Sequence, residues 1–164
     1  MAFDAYLKID GLEGESTSKG MEKQIEIESF NWDIANSAVA GSQSGGISSG
    51  RANINAFTVV KTVDKASPAL MLAACDGTHF KTATITFRKA TGSAGQKPFE
   101  IIKFSDCMVA YYKESGNTGG QDLLRETVSF EFSKVEMEYH GQKADGSTSK
   151  VANTGWDRLK NAKV

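Results

Sequence analysis

Apolar and polar residues alternate along most of this chain, and the alternating stretches are rich in Ile, Val, Thr, Phe and Tyr. A period of two places successive side chains on opposite faces of an extended strand. The pattern predicts strands at about residues 3–9, 22–34, 51–63, 79–89, 97–113 and 122–140. Glycine is frequent, at 16 residues, and proline is rare, at 2, which favours many strand reversals over a helical bundle. We therefore predict a mainly β fold.

The alternation changes phase inside two of these predicted strands, near Ser29 and near Ser133. In a regular strand such a change would turn the apolar side chains from the core to solvent. Two interpretations are open. A β-bulge near each serine would restore the facing and bend the strand, as closure of a barrel often requires. Alternatively, each strand is buried on opposite faces at its two ends, which requires a partner surface outside the domain.

One short helix is predicted at about residues 67–76. Ser67 is expected to cap its N-terminus, Pro68 suits its first turn, and Gly77 supplies a left-handed residue that ends it. Residues 69–75 are all apolar. Because a surface helix normally keeps a polar face, we expect this helix to be covered on more than one side, either by the end of its own barrel or by another subunit.

Residues 41–50 form a segment rich in Gly and Ser. So few apolar side chains cannot order the segment by burial, and we expect a long mobile loop. A loop of this length inside a compact domain is typical of a spacer, or of a segment that becomes ordered against a partner.

The length of 164 residues fits a single domain with a sizeable core, and the charges disfavour several classes of partner. Lys and Arg number 19, Asp and Glu number 20, and the basic residues are scattered, so we expect no nucleic-acid binding. No apolar stretch approaches the roughly 20 residues that span a bilayer, and the start lacks a secretory signal. The two cysteines fit folding in a reducing cytoplasm. The missing signal excludes the general secretory route but not export by a dedicated machine.

Motifs typical of catalysis, cofactor binding or metal binding are absent from the sequence. The glycine clusters match neither a phosphate-binding loop nor a dinucleotide fingerprint. Cys75 and His79 are near each other, but a thiol that simply packs at the end of an apolar helix is the favoured interpretation. We interpret the acidic residues of the last predicted strand as a solvated face: Glu126, Glu131, Glu136 and Glu138. We therefore predict no enzyme activity, no cofactor and no metal.

Ordered landmarks along the chain resemble the haemolysin-coregulated protein (Hcp) family, the tube subunits of bacterial type VI secretion. They follow family order over essentially the whole chain: Phe3-Asp4-Ala5-Tyr6-Leu7-Lys8-Ile9 with Gly11, then Ser29-Phe30-Asn31-Trp32, then Lys65-Ala66-Ser67-Pro68-Ala69-Leu70-Met71-Leu72 followed by Gly77 and His79, then the run 124–132, and finally Gly155-Trp156-Asp157. No single landmark is diagnostic, but together they are specific.

The resemblance implies a two-sheet β-barrel with one flanking helix, six copies of which close into a ring around a wide channel. Rings stack into a tube that a contractile sheath drives from a baseplate into a target cell, with effectors in the channel or on the spike at its tip. The implied protein is made in the bacterial cytoplasm and secreted without a signal peptide. Residues 1–164 resemble the plain structural form, a single domain with no appended toxin domain.

The resemblance also implies where neighbouring subunits meet. Leu70 and Leu72 on the predicted helix are expected at a ring or stacking interface. Gly45, Gly46 and Ile47 belong to the loop by which family members reach the adjacent ring. The apolar helix then gains a second covering surface from another copy.

Asn31 is the candidate residue for the wall of the channel. It lies between Phe30 and Trp32, so its side chain points opposite to theirs. If the two aromatic side chains fill the core, Asn31 faces the channel. Solvent or a neighbouring subunit is the alternative environment.

Three other functions are alternatives to that of a type VI secretion tube subunit. A tail-tube subunit of a contractile phage is related in fold and assembly. A cysteine-dependent enzyme would use Cys75 or Cys107. A monomeric ligand-binding barrel would need an apolar cavity, whereas the aromatic residues look sufficient to fill one: Phe30, Trp32, Phe87, Phe130 and Phe132.

Overall fold

The computed structural model of the protein describes residues 3–40, 46–90, 95–120 and 123–164. Within these ranges the chain forms eleven strands and one helix, which confirms the mainly β prediction. In chain order they are β1 (Asp4–Ile9), β2 (Ile25–Ile27), β3 (Ser29–Asn31), β4 (Ile34–Ala40), β5 (Ile47–Ile54), β6 (Phe57–Thr62), α1 (Ser67–Asp76), β7 (His79–Ala90), β8 (Gln96–Ser115), β9 (Arg125–Gln142), β10 (Thr148–Asp157) and β11 (Ala162–Lys163).

The strands form two sheets, as predicted. The larger sheet has nine strands in the order β11-β10-β9-β8-β7-β1-β2, and β6 joins it by pairing with both β9 and β3. The smaller sheet is the hairpin of β4 and β5. Among the described residues the pairing does not close into a complete barrel, because β2 pairs with β1 whereas β3 pairs with β6. Between these two short strands, the backbone N–H of Glu28 donates to the carbonyl oxygen of Val60 at 2.8 Å.

Aromatic side chains pack the centre of the larger sheet. The ring of Phe57 stacks between those of Phe104 and Phe130, with centroids 4.0 and 4.8 Å away. The ring of Trp32 meets Phe104 edge to face at 5.6 Å. Such close ring contacts fill the core with side chains of the chain itself, as the sequence interpretation expected.

Neither phase change coincides with a register shift, although a β-bulge near each serine was one of the two open interpretations. Near Ser29 the strand breaks at Glu28 and exchanges partners, from β1 to β6. Near Ser133, strands β8 and β9 pair in the same register before and after one unpaired position. Opposite Ser133 lies Asp106, whose φ of 52° is in the left-handed region. The register shift between these two strands occurs instead between Val109 and Tyr111.

Helix α1 spans Ser67–Asp76, as predicted, and Gly77 ends it with a φ of 70°. The N–H of Gly77 donates to the carbonyl oxygen of Ala73 at 3.0 Å, which completes the last turn. The prediction that Ser67 caps the helix is wrong, because Ala66 is the N-cap residue and provides no side-chain hydrogen bond. Ser67 is buried within the first turn and bonds elsewhere.

Several predicted boundaries need correction. Residues 47–50 belong to β5 and pair with β4, so they are not part of an extended loop, whereas residues 41–45 lie outside the described part of the chain. The predicted strand over 51–63 is divided between β5 and β6. The predicted strands end at residue 140, but the chain forms a further strand, β10, over Thr148–Asp157. This strand is polar and largely exposed, so it lacks the apolar alternation by which the other strands were predicted.

Candidate assembly surface

The hairpin of β4 and β5 stands apart from the larger sheet. Within the described residues its strands pair only with each other. Large apolar side chains on it are open to solvent: Ile34 is 52% exposed and Ile47 is 79% exposed. Gly46 is exposed beside Ile47, whereas Gly45 lies outside the described residues. Because a two-stranded hairpin is at best marginally stable alone, this hairpin needs contacts beyond its own pairing.

The base of the hairpin supplies some of those contacts. Ile54, at the end of β5, is buried in the core. The side-chain amide of Asn55 donates to the Asp33 carboxylate at 2.7 Å, which joins the two ends of the hairpin. Arg51 donates from Nη2 to the carbonyl oxygen of Arg158 at 3.1 Å. The hairpin is therefore fixed at its base, while its outer part projects.

Helix α1 presents apolar side chains on two faces. Leu70 is fully buried and packs in the core with Ala73. On the other face, Met71 is 47% exposed and Leu72 is 57% exposed. The two leucines predicted at an interface therefore have different environments: Leu70 belongs to the chain's own core, whereas Leu72 is open to solvent. An exposed apolar face on a rigid helix is typical of a surface that contacts another protein.

Asn31 lies at the end of β3, opposite Thr58 of β6. Its side chain is exposed, whereas Phe30 and Trp32 pack partly against the core. The indole N–H of Trp32 donates to the carbonyl oxygen of Asn55 at 3.1 Å, which fixes that ring beside the hairpin base. The structure therefore places Asn31 on the side of the strand away from the core.

A buried charged cluster joins α1 to the sheet. Lys61 on β6 and Glu126 on β9 are cross-strand partners, both fully buried, and their side chains form an ion pair. The Lys61 ammonium also contacts Asp64 at 2.9 Å and donates to the hydroxyl of Ser67 at 3.2 Å. Ser67 in turn donates to Glu126 at 3.0 Å. The first turn of the helix is thereby connected to two strands.

Tyr112 of β8 completes this cluster, with its hydroxyl donating to Glu126 at 2.8 Å. Burial raises the pKa of the Tyr112 hydroxyl, and the neighbouring Glu126 carboxylate raises it further. The sequence interpretation of Glu126 as part of a solvated face is therefore wrong. The other acidic residues of that set occupy partly exposed positions on β9: Glu131, Glu136 and Glu138.

The two cysteines have opposite environments. Cys107 is fully buried on β8, and burial raises the pKa of its thiol to about 12. Cys75 is exposed near the end of α1, contrary to the expectation that it packs. His79 contacts Asp106, with Nδ1 2.9 Å from the carboxylate. Among the described residues, no hydrogen bond joins either thiol to a histidine.

A thiol-reactive reagent should distinguish these environments. We expect iodoacetamide at pH 8 to modify only Cys75 in the folded protein, because Cys107 is shielded and stays protonated at that pH. Mass spectrometry should show one added group on the folded chain and two after unfolding in urea. Equal labelling of both thiols without denaturant would contradict the burial of Cys107.

Two further structural features bear on the class of protein. Across the described residues, no group of three or more His, Cys, Asp or Glu side chains is arranged to hold a metal ion. Within the same ranges, none of the helical structure is long and apolar enough to cross a membrane. What stands out is a set of exposed apolar side chains on the projecting hairpin and on α1.

The chain is a mainly β protein with exposed apolar side chains on its separate hairpin and on α1. Comparison with known proteins identifies the class more closely. Residues 6–139 match the family described as "Type VI secretion system effector, Hcp". The chain belongs to this family of type VI secretion proteins.

Individual relatives are similar to this chain over its full length. Protein hcp1 of Pseudomonas aeruginosa is 32% identical over 165 residues, covering all of both chains. A solved structure described as a type six secretion system protein is 35% identical, with a TM-score of 0.92 over 99% of this chain and all of the other. Hcp1 from Salmonella typhimurium is 30% identical, with a TM-score of 0.80 over both entire chains. The similarity therefore includes the hairpin, α1 and the C-terminal strands.

Proposed function

We propose that this chain is a structural subunit of the type VI secretion inner tube. As a single domain over residues 1–164, it assembles into hexameric rings, and the rings stack into a tube with a central channel. It has no catalytic role of its own. The subunit is made and assembled in the bacterial cytoplasm and leaves the cell with the tube, without a signal peptide.

The observation that carries this proposal is family membership over the whole chain. The exposed apolar surfaces support it independently. A ring requires a heterologous contact, in which two different surfaces of each copy meet and the rotation between copies closes. The hairpin and the outer face of α1 are two such surfaces on one rigid domain. Burying them between copies would remove apolar area from water, which favours assembly.

Each surface receives a role in this proposal. Met71 and Leu72 on α1 contact a neighbouring copy within the ring. Gly46 and Ile47 near the tip of the hairpin contact the adjacent ring. Asn31, exposed opposite the core side of β3, lines the channel. A polar wall of this kind can bind cargo weakly and release it, because it offers little apolar area for tight contact.

The partners of the assembled tube follow from the same role. The tube fits inside a contractile sheath, extends from a baseplate and carries a spike protein at its tip. Effector proteins travel in the channel, which makes the subunit a carrier and chaperone of its cargo. We propose no nucleic-acid partner and no insertion into a membrane.

Sedimentation equilibrium tests the assembly step. At micromolar concentration we expect a species of six times the monomer mass, because exposed apolar surfaces on a rigid subunit favour a closed ring. A mass equal to one chain throughout the concentration range would contradict the proposal and favour a monomeric barrel. Genes for sheath, spike and ATPase beside this one would support secretion, whereas capsid genes would indicate a phage tail.

A further inference from the structure

Arg88, near the end of β7, joins the loop at residues 18–19 to the first residue of β8. Its guanidinium donates from Nη1 to the carbonyl oxygen of Lys19 at 3.1 Å and to the hydroxyl of Ser18 at 3.4 Å. From Nη2 it donates to the carbonyl oxygen of Gln96 at 2.9 Å. The side chain also lies over the ring of Tyr6, with the guanidinium carbon 6.0 Å from the ring centroid. All of these partners are neutral.

The positive charge of Arg88 has no direct anionic partner. Among the described residues no ion pair includes its guanidinium, and its Nε–H is shielded from water without an acceptor. Asp4 lies opposite Arg88 in the ladder, but its carboxylate accepts a hydrogen bond from the Gln96 side chain. A guanidinium has five N–H donors, and a shielded one without an acceptor costs free energy.

Two lysine side chains lie near Arg88. Lys19 and Lys97 line the same groove, which has a volume of about 600 Å³, and none of the described residues that line it is acidic. The nearest acid on this loop is Glu22, whose exposed carboxylate accepts the Gly20 N–H at 3.0 Å. That hydrogen bond lowers the pKa of Glu22 most, with smaller contributions from Arg88 and Lys19. The groove therefore carries three cations, with acids only at its margin.

We propose that this groove is a binding site for an oxyanion, the chemical group shared by phosphate and carboxylate ligands. The guanidinium of Arg88 supplies positive charge at the base of the groove, and the ammonium groups of Lys19 and Lys97 can reach one anionic group from the rim. An oxyanion in the groove would neutralise positive charge that the chain leaves without an anionic partner. The proposal concerns each subunit by itself and does not rest on ring formation.

Phosphate titration of the full chain tests the site. We expect inorganic phosphate, added at constant ionic strength with chloride as the balancing ion, to bind in the millimolar range by calorimetry. The double variant Lys19→Gln, Lys97→Gln should bind at least about fivefold more weakly, because both side chains are at the rim and removing their charge weakens the attraction. The matched control is Lys81→Gln, an exposed lysine outside the groove, which should bind as the unaltered chain does.

Two sources of the oxyanion are separated by a second probe, a capped peptide of three glutamates. Tighter binding of the peptide than of phosphate assigns the site to a protein carboxylate, and the reverse assigns it to a free phosphate group. Failure of both probes to bind would overturn the proposal. Equal weakening in the Lys81→Gln control would also overturn it, since the attraction would then be a property of the whole surface. Far-UV circular dichroism of each variant verifies that the fold is intact.

Discussion

Replacing Lys61 with methionine is expected to destabilise the folded chain by about 3–5 kcal/mol, because it leaves the carboxylate of Glu126 buried without its counter-charge. Both side chains are fully buried, so water cannot take the place of the missing ammonium. Ser67 and Tyr112 still donate to Glu126, but these neutral donors do not replace a positive charge. Urea unfolding followed by tryptophan fluorescence measures the change in the free energy of unfolding.

The control for this prediction removes both charges at once. In the double variant Lys61→Met, Glu126→Leu, apolar side chains of similar volume replace the ion pair, and most of the lost stability should return. A double variant as unstable as the single one would show that the contacts of Lys61 with Asp64 and Ser67 matter more than the pair itself. A single variant as stable as the unaltered chain would contradict the buried cluster altogether.

The second large effect concerns two leucines on the same helix. Leu70→Ala should lower the free energy of unfolding by about 2–5 kcal/mol, because it leaves a cavity in the core. Leu72→Asp should leave the folded subunit nearly as stable, since Leu72 is 57% exposed in the single chain. In the proposed ring, however, it would bury a charge between copies and weaken assembly at least about 30-fold.

These two variants require two measurements each, unfolding in urea and sedimentation. Leu72→Ala is the matched control, because it removes apolar contact without adding a charge and should weaken assembly less than Leu72→Asp does. If Leu72→Asp forms complexes of unchanged mass and affinity, the outer face of α1 lies outside the interface. If it unfolds the subunit instead, the helix is packed more tightly than its exposure indicates.

Much of the fold could be predicted because the responsible signals are local. Pro68 and Gly77 mark the two ends of α1, and a period of two marks the longer strands, since both depend on neighbouring residues only. The cap was mispredicted because Ser67 bonds to Glu126, which lies on a distant strand. Strand β10 was missed because a largely exposed strand needs no apolar alternation.

The buried charged cluster could have been found from the sequence. Lys61 shares the numbering parity of Phe57 and Val59, so alternation places it toward the core. Glu126 shares the parity of Val128 in the same way. Two opposite charges at inward positions of different strands indicate a buried pair, provided that the strands are adjacent. That adjacency depends on long-range topology, which alternation alone does not reveal.

The exposed positions were only partly predictable. Alternation identified the outward direction of Asn31, whereas the covering of α1 on more than one side stays a prediction, because Met71 and Leu72 are exposed in the single chain. The sequence alone did not show which leucine of the helix faces inward, because a helix that is apolar all round has no polar face to mark its exposed side. The structure assigns Leu70 to the core and leaves Leu72 exposed.

Negative-stain electron microscopy of the concentrated protein tests most directly whether these subunits join around a hollow axis. We predict annular particles with sixfold symmetry and an open centre, together with short stacks seen from the side at higher concentration. Uniform small particles of single-subunit size, even in concentrated protein at low temperature and low salt, would contradict it.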